Sequence, residues 1–236
     1  KIIKHMSLLI LIPAREGSKG LPNKNVKLLG DKELIKYSID FANKIASKDD
    51  SICITSDDKR VLEIANNLNV DNIIDRPKNL SSDIATMQDV VLNALDYMQL
   101  KGEKFESILL LQPTSPFRNK EDFYKLKSIY ENTDCQMATT VTKSKHNPFF
   151  NSFMIESDNK LKRYSDISFN NRQQTPKTVV MNGSMYLFKS EEIKNNNFNQ
   201  FDKISSLELK EEFSIDIDTI YDWLIAEKYL NYFFKQ

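Results

Sequence analysis

Cysteine and histidine are nearly missing from this 236-residue chain, with two of each. Cys53 and Cys135 fall in strand or strand-edge positions and have no metal-ligand spacing. They read as buried free thiols in a reducing cytoplasm. His5 and His146 are too few for a histidine metal cage or a histidine-centred triad. Glycine is scarce as well, five residues in all, and arginine supplies only six of the 33 basic side chains. Formal charge balances to zero, so neither a nucleic acid nor a membrane surface is an expected partner. No apolar run is long enough to cross a bilayer, and no signal peptide precedes the first apolar run. A 40% hydrophobic content is ample for the core of one α/β domain spanning 6–236. Lys1 to His5 read as the remnant of an expression tag.

The scarce residues are concentrated. Gly17, Gly20 and Gly30 lie near the amino end, in LLILIPAREGSKGLPNKN and the short segment after it. Leu8 to Ile12 is an apolar run short enough for a strand buried on both faces, and Pro13 is expected to end it. The loop beyond carries Arg15, Lys19, Lys24 and Asn25. Small residues let a backbone approach a ligand closely, with its N–H groups facing phosphate oxygens. Three cations so close together repel one another unless something anionic sits among them. In a chain that prefers lysine, an arginine at position 15 points to planar, bidentate phosphate contact. The loop is neither a P-loop, since no Gly-Lys-Ser/Thr closes it, nor the dinucleotide fingerprint.

Further along, strands and helices alternate. Helix is expected over Glu33–Ala46, strand over Ser51–Thr55, helix after an Asp57 or Asp58 cap to about Leu68, and strand over Val70–Ile74. A helix capped by Ser82 or Asp83 follows from about Thr86 to Leu100, then strand over Ser107–Leu111. This pattern predicts a mostly parallel sheet with helices on both faces. Ligands of such sheets bind beyond the carboxyl ends of the strands, which puts Arg15, Asp57 and Arg76 on one rim. Phe123–Tyr130 reads as helix and Gln136–Thr142 as strand. Over 143–178 the period breaks, and an insert of that length is expected to have its own task. Within it, Asn151–Glu156 and Lys160–Tyr164 pair as a hairpin. Val179–Phe188 is a strand with a bulge at Asn182-Gly183. Lys203–Leu209 is an edge element, and Thr219–Phe234 the closing helix.

Ser214-Ile215-Asp216-Ile217-Asp218 carries two carboxylates on one face if it is a strand. Two carboxylates facing one point repel unless protonated or holding a cation. Oxygen ligands with no nearby His or Cys suit Mg²⁺, which takes its remaining ligands from phosphates and water. The alternative is that Asp218 caps the final helix while Asp216 solvates a strand edge.

Four stretches together resemble the nonulosonic acid cytidylyltransferases, the CMP-sialic acid synthetase family. They are IPAREGSKGLPNKN, RPKNLSSD, QPTSPFR and SIDID. The resemblance implies a Rossmann-like nucleotidyltransferase fold with a protruding dimerisation arm at 143–178, and a cytoplasmic homodimer whose arm helps complete the partner's sugar pocket. It implies transfer of CMP from CTP to a 2-keto nonulosonic acid, of sialic or legionaminic type, with release of pyrophosphate. Arg15 and Lys24 would hold the triphosphate, joined by Lys19, with Asn25 bonding the nucleotide. Arg76, Ser82 and Thr86 would lie near cytosine and ribose. Gln112, Thr114, Ser115, Arg172, Asn182 and Tyr186 would line the sugar, and Asp216 and Asp218 would hold Mg²⁺. Arg118 would instead fix its turn by bonding backbone carbonyls. A metal-bound hydroxide or a carboxylate of the pair would serve as general base. One departure from the family bears on the sugar: His146-Asn147-Pro148 is followed by Phe149-Phe150, where sialic acid relatives tend to place a lysine. That makes legionaminic acid a serious candidate. The competing readings are a CMP-KDO-type enzyme, which shares the opening loop, and a non-catalytic nucleotide-binding module.

Overall fold

The computed structural model describes residues 7–17, 20–82, 84–167 and 169–233. The expected tag remnant, the Lys19 contact and the Asp83 cap lie outside the described residues.

In chain order the main elements are β1 (Leu8–Ala14), β2 (Leu28–Leu29), β3 (Lys32–Glu33), α1 (Leu34–Ile45), β4 (Ser51–Ser56), α2 (Lys59–Asn67), β5 (Asn72–Asp75), α3 (Met87–Leu100) and β6 (Ser107–Leu110). They continue with α4 (Lys120–Asn132), β7 (Met137–Lys143), β8 (Phe153–Ile155), β9 (Leu161–Arg163), β10 (Val179–Lys189), α5 (Ser190–Asn195), β11 (Ile204–Glu208) and α6 (Ile220–Phe233). Seven strands form one sheet in the order β11-β7-β10-β6-β1-β4-β5. Among the described strands of this sheet only β10 runs against its neighbours, pairing antiparallel with both β6 and β7. None of the described helices is long and apolar enough to cross a membrane.

Every residue of β1 is buried, as a strand covered on both faces requires. Its alternation divides the core. Leu8, Ile10 and Ile12 meet α1, α2 and α4 on one face, while Leu9 and Leu11 meet α3 and α5 on the other. A third cluster lies beyond the carboxyl ends of the strands. There Trp223, Ala226 and Leu230 of α6 and Ile217 pack on Leu21, Leu29 and Leu34 from the amino-terminal part of the chain. Burying these apolar groups together clasps the two ends of the chain to each other.

Several expectations are corrected. Pro13 does not end β1: Pro13 and Ala14 remain in register with Thr55 and Ser56 of β4. A proline here lacks only its N–H, and its carbonyl remains available to the ladder. The strand expected over Val70–Ile74 begins later, at Asn72. Asp58 caps α2 by accepting from Arg60 N at 3.0 Å, while Asp57 accepts from Glu16 N at 2.8 Å and so holds the start of the cationic loop. The cap of α3 is Thr86, in a reciprocal box with Asp89, and not Ser82. Residues 214–218 form no strand. Asp218 does not cap α6 either: Thr219 does, its hydroxyl accepting from Asp222 N and donating to the Asp222 carboxylate. The expected hairpin is present as the β8–β9 ribbon, with its apolar residues Phe153, Met154, Ile155 and Leu161 exposed. The thiols of Cys53 and Cys135 are both free and buried.

Candidate active site

The strands β1, β4, β5 and β6 deliver Arg15, Asp57, Arg76 and Gln112 to one rim, each placed within two residues of a strand's carboxyl end. A cleft of about 410 Å³ opens there, walled by Arg15, Gly20, Lys24 and Asn25 of the amino-terminal loop. Its other wall is Gln112, Pro113 and Thr114 after β6, with Asp218 and Thr219 ahead of α6, and Arg76 and Met87 complete it.

The two ends of the chain meet in this cleft. Lys24 Nζ donates to Asp218 Oδ1 at 2.7 Å and to the Ile217 carbonyl at 2.8 Å. Ile217 N donates to the Thr114 carbonyl at 2.8 Å, so the aspartate segment is sewn to the QPTSP turn as well. Gly20 lies so close that a Cβ on it would stand 2.3 Å from the Asp218 carbonyl oxygen, which explains the glycine at that position. Although no strand forms, the alternation survives: Ile217 is fully buried, while Asp216 and Asp218 are exposed on either side of it.

Asp216 holds its proton more tightly than an ordinary aspartate. Loss of hydration at the protein surface around it is the main cause, opposed by a hydrogen bond from the Thr114 side chain. The charges of Asp218 and Asp222 push the same way as desolvation, against Lys24. A site that crowds carboxylates in this manner fits a hard divalent cation with oxygen ligands. Among the described residues no cluster of three or more His, Cys, Asp or Glu could hold a metal. The oxygens of Asp216 and Asp218 are hard donors of the kind such an ion takes beside phosphate and water, with Asp218 Oδ1 also accepting from Lys24 Nζ.

Other expected site residues are held by bonds within the protein. The Asn25 amide donates to the Arg15 carbonyl at 3.1 Å, shaping the loop from inside. Arg76 is 5% exposed, its guanidinium donating to Thr55 Oγ1 at 3.2 Å and to the Thr55 carbonyl at 2.6 Å. Burial lowers its pKa to about 10, while Asp57 supports its charge and Arg15 opposes it. Ser115 Oγ donates to the Asn182 carbonyl at 3.1 Å. The Asn182 amide donates to Ser214 Oγ at 3.0 Å and accepts from Thr140 Oγ1 at 2.7 Å. Tyr186 has a raised pKa, from burial first and then from the charge of Asp216, with a hydrogen bond to the Gly183 backbone opposing both.

Ser82, whose hydroxyl donates to the Asn79 carbonyl, and Thr86, spent on its cap, are not among the residues lining the cleft. Arg172 is exposed on the insert, beside a different surface pocket with Lys143 and Lys177. Met87 and Thr219 also line the cleft, and neither is among the residues expected there. The spacing of Thr219 and Asp222, an N-cap pair before an apolar run, was the signal that could have found Thr219.

Comparison with known proteins adds a second line. A family described as Cytidylyltransferase matches residues 9–236. The CMP-N,N'-diacetyllegionaminic acid synthase of Legionella pneumophila is 31% identical over 227 residues, 94% of this chain and 96% of that one. Post-translational flagellin modification protein B of Campylobacter coli is 30% identical over 226 residues, 93% of each chain. In fold, the chain is similar to CMP:2-keto-3-deoxy-manno-octonic acid synthetase complexed with CTP, with a TM-score of 0.70 at 16% identity over 96% of this chain and 99% of that one.

Proposed function

From the premise that this chain belongs to the cytidylyltransferase family, we propose that it transfers CMP from CTP to a 2-keto nonulosonic acid and releases pyrophosphate. It is a nucleotidyltransferase of the acylneuraminate cytidylyltransferase type. The observation that carries the reading is the meeting of Lys24 and Asp218 in a cleft that also holds Arg15 and Gln112. One wall is cationic, as a triphosphate requires. The other offers an amide for sugar hydroxyls and the Asp218 carboxylate, with Asp216 behind it.

In the reaction the anomeric hydroxyl of the sugar attacks the α-phosphorus, the bond to the β-phosphate breaks, and pyrophosphate leaves. Such chemistry needs positioning and charge neutralisation more than covalent help. Arg15 presents a planar fork to phosphate oxygens. Lys24 adds a point charge beside it, and Lys19, from the same loop, joins them. Asn25 shapes the loop and bonds the nucleotide, while Arg76 and Met87, which line the cleft, border the base and ribose. Gln112 and Thr114 orient the sugar, with Ser115, bonded to the Asn182 carbonyl, fixing the turn behind them. Mg²⁺ held by the oxygens of Asp216 and Asp218 would neutralise phosphate charge when bound. The site's work is cytoplasmic, in keeping with two buried free thiols.

The insert at 143–178 acts as a dimerisation arm. Its exposed apolar ribbon supports this, since such a surface is normally covered. Through the arm Arg172 reaches the sugar site of the partner. Sedimentation should give twice the 27.4 kDa chain mass, and Ile155→Glu with Leu161→Glu should shift it to a monomer with weakened sugar turnover. A monomer in the unaltered protein would remove the arm's role.

Pyrophosphate release, assayed with CTP and a panel of sialic, legionaminic and pseudaminic acids and KDO, tests the function. Release with a nonulosonic acid is expected. Release with KDO alone would favour the eight-carbon reading, and silence with every sugar would favour a binding module.

A further inference from the structure

We infer that Arg118 is a positioning residue for the acidic sugar, fixing the sugar side of the cleft by holding the main-chain carbonyls of Gln112 and Ser184 together. The inference rests on the proposed role of Gln112. Arg118 is not among the residues that line the cleft; it lies behind it, beside a second, smaller pocket with Phe41 and Phe117.

From there its guanidinium reaches three segments of chain. Nη2 donates to the Gln112 carbonyl at 2.6 Å, Nε to the Ser184 carbonyl at 2.8 Å, and Nη1 to Ser38 Oγ on α1 at 3.0 Å. The group also lies 5.8 Å from the centre of the Phe41 ring. A planar fork with donors in three directions serves three fixed acceptors at once, which the point charge of lysine does not. Burial drives the Arg118 pKa down to about 9, and the charge of Asp216 resists that shift, so the buried cation also answers the carboxylate across the cleft wall.

The two carbonyls belong to segments that flank Gly183. At φ +74° this residue is in the left-handed region, and it sits at the bulge where the register of β10 shifts. A Cβ on Gly183 would stand 2.6 Å from Gln112 Oε1, 3.1 Å from Ser115 Oγ and 3.6 Å from Asp216 Oδ2. The Gln112 amide thus lies directly on the Gly183 backbone, and the distance between them is set by the carbonyls that Arg118 holds. The nucleotide side is pinned by other bonds: Asn25 to the Arg15 carbonyl, Lys24 to Ile217, and Arg76 to Thr55. Disturbing Arg118 should therefore shift one substrate's binding and spare the other's.

The test is steady-state kinetics on Arg118→Lys, Gln112→Ala and the double variant, with CTP and the sugar that the panel identifies. Arg118→Lys should raise the sugar KM about tenfold and leave the CTP KM within about twofold. The double variant should bind sugar no worse than Gln112→Ala alone, because the two act through one group. KM values for CTP and sugar rising together, or single effects that multiply in the double variant, would overturn the inference. A sugar KM unchanged in Gln112→Ala would instead refute the sugar-side reading of Gln112. If Arg118→Lys does not accumulate, Ser38→Ala removes one of the three acceptors. It should raise the sugar KM about two- to threefold with the CTP KM unchanged, since the two carbonyl acceptors still hold the guanidinium. Equal changes in both KM values would again be contrary.

Discussion

Arg15→Ala is expected to lower kcat/KM about a thousand-fold, near 4 kcal/mol of lost transition-state stabilisation, with little change in melting temperature. The size of the loss follows from where the side chain stands. Arg15 leaves the end of β1 directly into the cleft, in the position where strand ends present groups to ligands. Its backbone is held independently of its side chain, by Asn25 on its carbonyl and by Asp57 on the next amide. Truncating the guanidinium leaves these two backbone bonds in place and removes the bidentate donor. Arg15→Lys should recover only part of the rate, because a point charge restores attraction without the paired geometry. Pyrophosphate release and a thermal melt on the same preparations check both halves. Near-normal turnover in Arg15→Ala would contradict the phosphate role.

The carboxylate pair gives the second large effect, and the two members should differ in a way that activity alone would hide. Asp216→Asn and Asp218→Asn are both expected to lose about a hundred-fold or more in turnover. Their stabilities should part. The pKa of Asp216 is raised in the fold, so its ionised form opposes folding at pH above that value, and the cost fades as pH falls through it. An asparagine there is uncharged at every pH. Asp216→Asn should therefore melt at or above the wild-type temperature near neutral pH, with the difference closing in acid. Asp218 instead receives Lys24 Nζ at 2.7 Å, and its side chain is 68% exposed. The Lys24 side chain is only 10% exposed, so Asp218→Asn leaves its ammonium with the Ile217 carbonyl and no carboxylate, and this variant should melt lower than the wild type. An Asp216→Asn protein that is both active and destabilised would invert the account of that residue.

These contrasts also show what could and could not be read along the chain. The run Leu8–Ile12 announced a strand covered on both sides, and the alternating elements after it announced a parallel sheet, because hydrophobic period is a local property. Whether Pro13 stopped that strand was not local: it depended on β4 continuing alongside through Ser56. SIDID looked like a strand because of its alternation, and the alternation of burial was right without the strand. What places those residues is Ile217 entering the third apolar cluster while Lys24, 193 residues earlier, takes its carbonyl.

The cationic loop and the aspartates were legible as chemistry, since clustered like charges need an explanation. Ser115, Asn182 and Arg76 show the opposite case. Each is a residue type that binds ligands, yet each is engaged by an internal partner distant in sequence or one strand away. Composition and spacing do not reveal which partner comes within reach. Arg172 is a further case, since its place on the insert puts it beside residues of the arm base and not at the cleft of its own chain.

Calorimetric titration of CTP, with and without Mg²⁺, into the wild-type, Arg15→Ala and Asp216→Asn proteins most directly tests whether both ends of the chain serve one nucleotide. Arg15→Ala should weaken CTP in both conditions. Asp216→Asn should weaken it only when Mg²⁺ is present, and bind it as well or better when the metal is withheld, because a negative charge has been removed from beside the triphosphate. Equal CTP affinity in all three proteins, in both conditions, would mean that the loop and the aspartates do not converge on a nucleotide at all.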